Sequence, residues 1–268
     1  MTLRVVSHGG GVQSTALLVL QALGRVDFPI FLFANVGDDS EHPATLRYLH
    51  EIAMPFAKAN GIQLEEIRRL TRDGRAETLL ENISSPSRTV GIPVRMGDSG
   101  APGTRRCTGT FKLAPVRKRL RELGATKEDP AVLAIGISLD EIERAGNVPD
   151  DNYSRRVYPL LDLGLRRSDC MAVIQEAGLP IPQKSACYFC PFHRPSVWRE
   201  QRRDEPDLFE KSADLETLLN ERRDMLGKDH VYLTRFGKPL REAISEAQAT
   251  LFDDDDGPDT CGYGSCFT

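Results

Sequence analysis

The sequence lacks several features that would place it in other classes of protein. Its 268 residues contain no apolar run of about eighteen or more, which excludes a membrane-spanning helix. Residues 1–4 have no signal-peptide pattern, so we expect a cytoplasmic protein without membrane contact. The formal net charge of −4 excludes a wholly basic nucleic-acid-binding protein, although it is compatible with a local basic patch.

Cysteine is present but does not indicate a disulfide framework. The chain has 6 cysteines. Because cytoplasmic thiols are kept reduced, these residues need a metal, redox or catalytic explanation, or none at all.

A run of glycines near the start of the chain is the most informative feature that is present. The β-branched Val5 and Val6 lead into Gly9, Gly10 and Gly11, and an apolar stretch follows at residues 16–20. This pattern predicts a strand, a tight loop and a helix, and such loops bind phosphate through backbone N–H groups. The loop is not a Walker A loop and not a G-x-G-x-x-G fingerprint. The alternative is an ordinary glycine turn.

Alternating strand and helix patterns follow the glycine run. Residues 28–36 form a continuous apolar run typical of a strand buried on both faces, and further strands are predicted at 63–67 and 131–137. Helices are predicted at 43–60 and 112–123. We therefore predict an α/β fold, with a doubly wound, mostly parallel, Rossmann-like sheet and a mainly helical C-terminal region.

The predicted domains are an α/β domain with the phosphate-binding loop at residues 1–165, a helical cysteine-containing region packed on it at 166–252 and a flexible tail at 253–268. Residues 84–106 predict a long loop without periodicity. Two acidic segments, around Asp38 and Asp140, follow predicted strands. We expect them to gather at the carboxyl edge of the sheet, where ligands bind, although helix capping explains such acids equally well.

Three cysteines occur at a spacing that suits a shared site. Cys187 and Cys190 make a C-x-x-C pair, and 79 residues separate them from Cys107. The C-x-x-C pair alone is ambiguous, and thiolates are the usual ligands of an iron–sulfur cluster, which is one interpretation. The alternatives are tetrahedral zinc completed by His193 or Cys170, or three buried cysteines without a metal.

The glycine run resembles the PP-loop of the ATP pyrophosphatases (adenine nucleotide α-hydrolases), whose pattern is Ser/Gly-Gly-Gly-x-x-Ser. Gly9, Gly10, Gly11 and Ser14 match it. Gln13 stands where the family often has Asp, which is a departure from the tRNA-modifying branch.

The cysteine segments resemble the phosphoadenylylsulfate-reductase-like branch of that family. Cys107-Thr-x-x-x-Lys112-x-x-Pro115, followed about eighty residues later by C-x-x-C, matches the pattern of that branch. Arg106 stands where the reductases have the first of two adjacent cysteines. The resemblance therefore implies three ligands for a 4Fe–4S cluster: Cys107, Cys187 and Cys190.

The resemblance implies a PP-loop fold, ATP and Mg²⁺ as cofactors, and a binding site in the glycine loop and the two acidic segments. Its residues are Ser7, His8, Gly9, Gly10, Gly11, Val12, Gln13, Ser14, Thr15, Asn35, Asp38, Glu41, Asp140, Glu141 and Arg144. The catalytic candidates are Ser14, Lys112 and the tail cysteines Cys261 and Cys266.

The implied activity is that of an ATP pyrophosphatase that adenylylates an acceptor oxygen for replacement by sulfur. The favoured analogue is the ATP-pyrophosphatase component of DNA phosphorothioation systems, with DNA as acceptor and a cysteine desulfurase as sulfur donor. The alternatives are tRNA thiolation, reduction of adenylylsulfate or phosphoadenylylsulfate, and a nucleotide-binding scaffold with structural zinc. A homodimer is compatible with each of these functions.

Overall fold

The computed structural model describes residues 2–86, 90–145 and 150–245. Within these ranges the chain forms two compact units. The first comprises residues 2–77, 108–145 and 150–186, and the second comprises 78–86, 90–107 and 187–245. Across the described ranges no helix is long and apolar enough to cross a membrane.

A parallel five-stranded sheet forms the centre of the first unit. Its strands are β1 (Arg4–Ser7), β2 (Ile30–Asn35), β3 (Gln63–Arg68), β5 (Ala131–Ile135) and β6 (Ser154–Val157). They lie in the order β3-β2-β1-β5-β6, and neighbouring strands pair in parallel. Every residue of β5 is buried, as expected for a strand covered on both faces. The prediction of an α/β fold with a parallel Rossmann-like sheet is confirmed.

Helices cover both faces of this sheet. They are α1 (Val12–Ala22), α2 (Pro43–Tyr48), α3 (Met54–Ala59), α5 (Ala114–Glu122), α6 (Pro159–Asp162) and α7 (Arg167–Glu176). The alternation of side chains along β1 separates two hydrophobic cores. Val6 packs in the core that contains α1 and α7, whereas Val5 packs in the core that contains α5. The sheet is therefore doubly wound.

Two predicted helices contain π-helical segments. The helix predicted at 43–60 is α2, a π-helical turn at Leu49–Ala53 and α3 in succession. The helix predicted at 112–123 begins with a π-helical segment at Thr108–Leu113 and continues as α5. Such segments are rare and occur frequently at functional sites.

The second unit contains α4 (Leu79–Ser84), β4 (Arg95–Met96), α8 (Pro195–Asp204), α9 (Pro206–Asp224), β7 (Val231–Tyr232) and α10 (Leu240–Ala243). The strands β4 and β7 pair antiparallel. Trp198 is fully buried, and its ring meets those of His193 and Phe209 edge-on. The described part of the loop predicted at 84–106 is irregular except for β4, which is two residues long, and for its two ends, where Ser84 ends α4 and Arg106 is helical.

Candidate functional site

The strand order creates a topological switch point in the sheet of the first unit. From the central strand β1 the chain passes to β2 and then β3 on one side. The strand on the other side of β1 is β5, from which the chain passes outward to β6, so the connections after β1 and after β5 run in opposite directions. Ligands of open α/β sheets bind outside the carboxyl ends of the strands at this switch point. Ser7 and Ile135, the last residues of these two strands, line one small cavity together with Arg117.

The glycine loop lies directly after β1. Gly10 has a φ of +75°, a conformation that L side chains rarely adopt. A Cβ atom on Gly10 would lie 3.1 Å from Phe33 and 3.1 Å from Thr45. Gly11 is the N-cap of α1 and provides no side-chain cap. The positive end of the α1 dipole and its first N–H groups are thus available to an anion.

Side chains at the start of α1 stabilise the loop itself. The Ser14 hydroxyl donates to the Gly11 carbonyl oxygen over 3.1 Å, and the Thr15 amide donates to the same oxygen over 3.0 Å. Val12 and Thr15 are buried, so a ligand at this turn would meet their backbone and not their side chains.

His8 is buried beneath the loop as a neutral ring. It is 2 % exposed, and the rings of Phe31 and Phe33 lie 6.1 and 6.3 Å from it. Burial lowers the pKa of His8 to about 4, and a contact with the backbone of Ser14 opposes this shift only in part. A neutral imidazole at physiological pH cannot supply positive charge to a phosphate, so His8 contributes packing and loop position.

We expect His8 to make the stability of the protein depend on pH. Its pKa falls from 6.5 in the unfolded chain to about 4 in the fold, so the unfolded state binds more protons between these values. The contribution of His8 to stability is present above pH 6.5 and lost as the pH falls towards 4, by about 3 kcal/mol. Urea unfolding followed by far-UV circular dichroism across this range should show the loss, and His8→Asn should remove it. Parallel pH profiles for both proteins would contradict the expectation.

Gly136, which follows β5, is a site residue that sequence reasoning missed. A Cβ atom there would lie 3.1 Å from the Ser14 amide nitrogen and 3.2 Å from Gln13. The start of α1 therefore approaches the end of β5 so closely that a Cβ atom at residue 136 would be crowded by backbone atoms. The one signal in the sequence is a glycine that directly follows a buried strand.

A polar network joins the loop to the segment after β5. The Gln13 side chain donates to Glu141 Oε2 over 3.3 Å, and Arg167 donates to Gln13 Oε1 over 3.3 Å. Arg144 pairs with Glu141 at 2.6 Å. Asp140 Oδ2 accepts from the Arg167 amide over 2.5 Å. The predicted residues Gln13, Asp140, Glu141 and Arg144 thus lie together, and Gln13 connects them to α1.

The segment after β2 forms a second network. Asn35 donates to Asp38 over 2.8 Å and to Glu66 over 2.9 Å, and Arg68 pairs with both carboxylates. Burial acts to raise the pKa of Asp38, but hydrogen bonds from Arg68 and Asn35 outweigh it and hold the pKa below its ordinary value. His50, in the first π-helical turn, contacts Glu66 at 2.7 Å. Asp38 Oδ1 is therefore engaged within the protein.

Glu41 and Lys112 are brought near each other. Glu41 is 1 % exposed, and burial raises the pKa of its carboxyl group while the charge of Lys112 lowers it. Among the described residues, Glu41 Oε2 has no hydrogen-bond partner. The second π-helical segment carries Lys112. A buried carboxylate oxygen without a partner next to a cation suits a site for a charged ligand.

The cysteines of the predicted cluster all lie in the second unit. The Cys190 amide donates to the Cys187 carbonyl over 3.1 Å, and the Cys107 amide donates to the Gly91 carbonyl over 3.0 Å. The Arg105 guanidinium lies 4.9 Å from the centre of the Phe192 ring, which brings the segment before Cys107 close to the segment after Cys190.

The thiols do not form a metal site in this structure. In the part of the chain that is described, no three His, Cys, Asp and Glu side chains are placed to hold one metal ion, and the cysteines there are not in disulfides. Cys170 is buried in the core beside α1, and burial raises the pKa of its thiol to about 12, so it is a core residue. The three-thiolate ligand set stays a prediction. Cys261 and Cys266 lie outside the described residues.

Comparisons with known proteins give a distant structural similarity. No family model matches the sequence, and no curated protein matches it. Among solved structures, the fold is similar to that of the U34-tRNA thiolase NcsA from Methanococcus maripaludis with its 4Fe-4S cluster. The identity is 16 %, the alignment covers 84 % of this chain and 73 % of that chain, and the TM-score is 0.44. The similarity is too distant to assign a substrate or a ligand.

Proposed function

We propose that this protein is an ATP pyrophosphatase that adenylylates an acceptor oxygen, which sulfur then replaces. The observation that carries the proposal is the glycine loop. It lies at the switch point of a parallel sheet, contains a glycine with positive φ and leads into a helix of 11 residues without a side-chain cap. Such a turn presents backbone N–H groups to phosphate oxygens.

The proposed reaction has two displacements. The acceptor oxygen attacks the α-phosphorus of ATP, the bond to the bridging oxygen breaks, and pyrophosphate leaves with the electron pair. Sulfur at the oxidation level of sulfide then attacks the adenylylated acceptor atom and displaces AMP. Sulfide needs no electron donor. Persulfide sulfur from a cysteine desulfurase would attack through its terminal atom and displace AMP, and a second thiol would then break the S–S bond and end in a disulfide with the donor cysteine. The loop N–H groups at Gly11 and α1 stabilise the negative charge that develops on the leaving pyrophosphate.

A buried carboxylate and a partly exposed lysine complete the proposed site. The Glu41 carboxylate, with its unpartnered Oε2, would hold the Mg²⁺ that accompanies ATP, because carboxylate oxygens suit this ion. Magnesium would neutralise charge on the phosphates. Lys112, whose charge acts on Glu41, is then placed to bind a phosphate oxygen. The proposal uses no step on an iron–sulfur cluster, since the three thiols do not form a metal site here.

The acceptor that we propose is a phosphate oxygen of DNA, with a cysteine desulfurase as the sulfur donor. This choice rests on the resemblance of the sequence motifs to the phosphoadenylylsulfate-reductase-like branch, and tRNA is the alternative nucleic acid.

The test is a product assay with α-labelled ATP, Mg²⁺ and inorganic sulfide, in the presence of duplex DNA, tRNA or adenylylsulfate. The proposal expects pyrophosphate and AMP in equal amounts, with release stimulated by DNA and phosphorothioate in the recovered DNA. If tRNA stimulates pyrophosphate release and DNA does not, the acceptor is tRNA. Sulfite formed from adenylylsulfate in a sample that also contains a thiol reductant, which supplies the two electrons, would favour the reductase, and ATP binding without any turnover would favour a scaffold.

The predicted role of the tail cysteines has its own test. We expect that truncation after Phe252 leaves ATP affinity unchanged and lowers sulfur incorporation at least about tenfold, equivalent to about 1.4 kcal/mol of barrier. The comparison is the double variant Cys261→Ser, Cys266→Ser in the full chain, which should match the truncation. Full sulfur incorporation by the truncated protein or by the double variant would show that the tail cysteines take no part in sulfur transfer.

A further inference from the structure

A serine beside the glycine loop has no role in the site described so far. Ser185 lies in the irregular segment after α7, and its hydroxyl oxygen lies 3.5 Å from the position that a Cβ atom on Gly10 would occupy. Ser185 is 7 % exposed. Among the described residues its hydroxyl has no hydrogen-bond partner, which is costly for a buried polar group.

His42 anchors the segment on both sides of Ser185. The Gln183 side-chain amide contacts His42 Nδ1 at 2.7 Å, and the His42 backbone amide donates to the Ala186 carbonyl over 3.1 Å. These two contacts fix the chain before and after Ser185, so the position of the hydroxyl is set before a ligand binds. A hydroxyl positioned in this way loses little conformational entropy when it forms a hydrogen bond to a ligand.

We propose that Ser185 is a phosphate ligand, and that its hydroxyl donates to the pyrophosphate portion of ATP held against Gly10. This inference rests on the proposed function. Two independent features converge on one spot: the uncapped start of α1, and a buried hydroxyl without a partner aimed at Gly10. A phosphate oxygen at the loop would supply the acceptor that Ser185 lacks, and a hydrogen bond to a charged group is stronger than one between neutral groups.

The position of the hydroxyl also predicts which part of the nucleotide Ser185 contacts. In the proposed reaction, the loop binds the leaving pyrophosphate. Ser185 should therefore affect ligands that carry a pyrophosphate group and should leave AMP unaffected.

The experiment measures the binding of Mg·ATP, Mg·pyrophosphate and AMP by calorimetry to the full chain and to Ser185→Ala. We expect affinity for ATP and pyrophosphate to fall about tenfold or more, and affinity for AMP to change less than about twofold. The apo variant should be at least as stable as the parent protein, because it removes a buried hydroxyl without a partner. A purely structural serine would instead lower apo stability.

Thr45→Val is the matched control. Thr45 is also buried, and its hydroxyl likewise lacks a partner among the described residues, but its methyl group is the part that faces Gly10. Valine keeps that methyl group, so the control should retain ATP affinity. Equal ATP affinity in Ser185→Ala and the parent protein would overturn the assignment of Ser185, whereas failure of the parent protein to bind ATP and pyrophosphate would overturn the proposed function itself.

Discussion

Replacing Gly10 by valine should reduce ATP affinity at least about a hundredfold, equivalent to about 2.7 kcal/mol or more. Two independent effects contribute to this loss. The φ of +75° at Gly10 is strained for every L residue and most of all for a β-branched one. In addition, the new Cβ atom would lie 3.1 Å from side-chain atoms of Phe33 and Thr45, so the loop or these side chains must shift, and the two γ-methyl groups of valine add to the crowding.

Two alanine variants, Gly24→Ala and Gly10→Ala, distinguish the effect of backbone strain from the effect of a position in the glycine loop. Gly24 has a φ of +67°, and nothing lies within 4 Å of a Cβ atom there. Alanine at Gly24 should cost about 1 kcal/mol of stability and leave ATP binding unchanged. Alanine at Gly10 should cost a similar strain and also weaken ATP binding. Calorimetric titration with Mg·ATP measures the affinities, and thermal unfolding measures the stabilities. If Gly10→Val binds ATP as the parent protein does, the loop is a structural turn.

The sheet and the loop could be predicted because their signals are local. The continuous apolar run at 28–36 corresponds to β2 with short extensions. The glycine run lies between β1 and α1, as the pattern predicts. The strand β6 was not predicted. It has only four residues, of which Ser154 is buried and Arg155 is exposed, so it lacks the apolar run that marks a strand in a covered sheet.

The remaining features of the site depend on contacts between residues far apart in sequence. Gly136 meets α1 across more than one hundred residues, and His42 contacts the segment around Ser185 across a similar separation. No periodicity or spacing encodes such a contact. Similarly, the pattern around Lys112 predicts a helix, but only the structure shows the π-helical segment that places its charge near Glu41.

A buried carboxylate in the second unit carries the largest expected effect on stability. Glu216 in α9 is 3 % exposed. Its two oxygens accept backbone hydrogen bonds, from the Leu233 amide over 2.6 Å and from the Leu240 amide over 2.7 Å. The side chain thus connects α9 to both ends of the segment between β7 and α10. Burial raises the pKa of Glu216, and the two amides and Arg241 lower it.

We expect Glu216→Ala to destabilise the second unit by about 3 kcal/mol or more, because two buried amides lose their acceptor and a cavity remains. Glu216→Gln keeps one acceptor oxygen and should lose about half as much. The control is Glu210→Ala on the same helix, whose exposed ion pair with Arg241 contributes less than about 1 kcal/mol. Trp198, the single tryptophan of the chain and fully buried in this unit, reports urea unfolding by its fluorescence. If Glu216→Ala unfolds at the same urea concentration as Glu210→Ala, the two amides find other acceptors and the carboxylate is not what connects α9 to this segment.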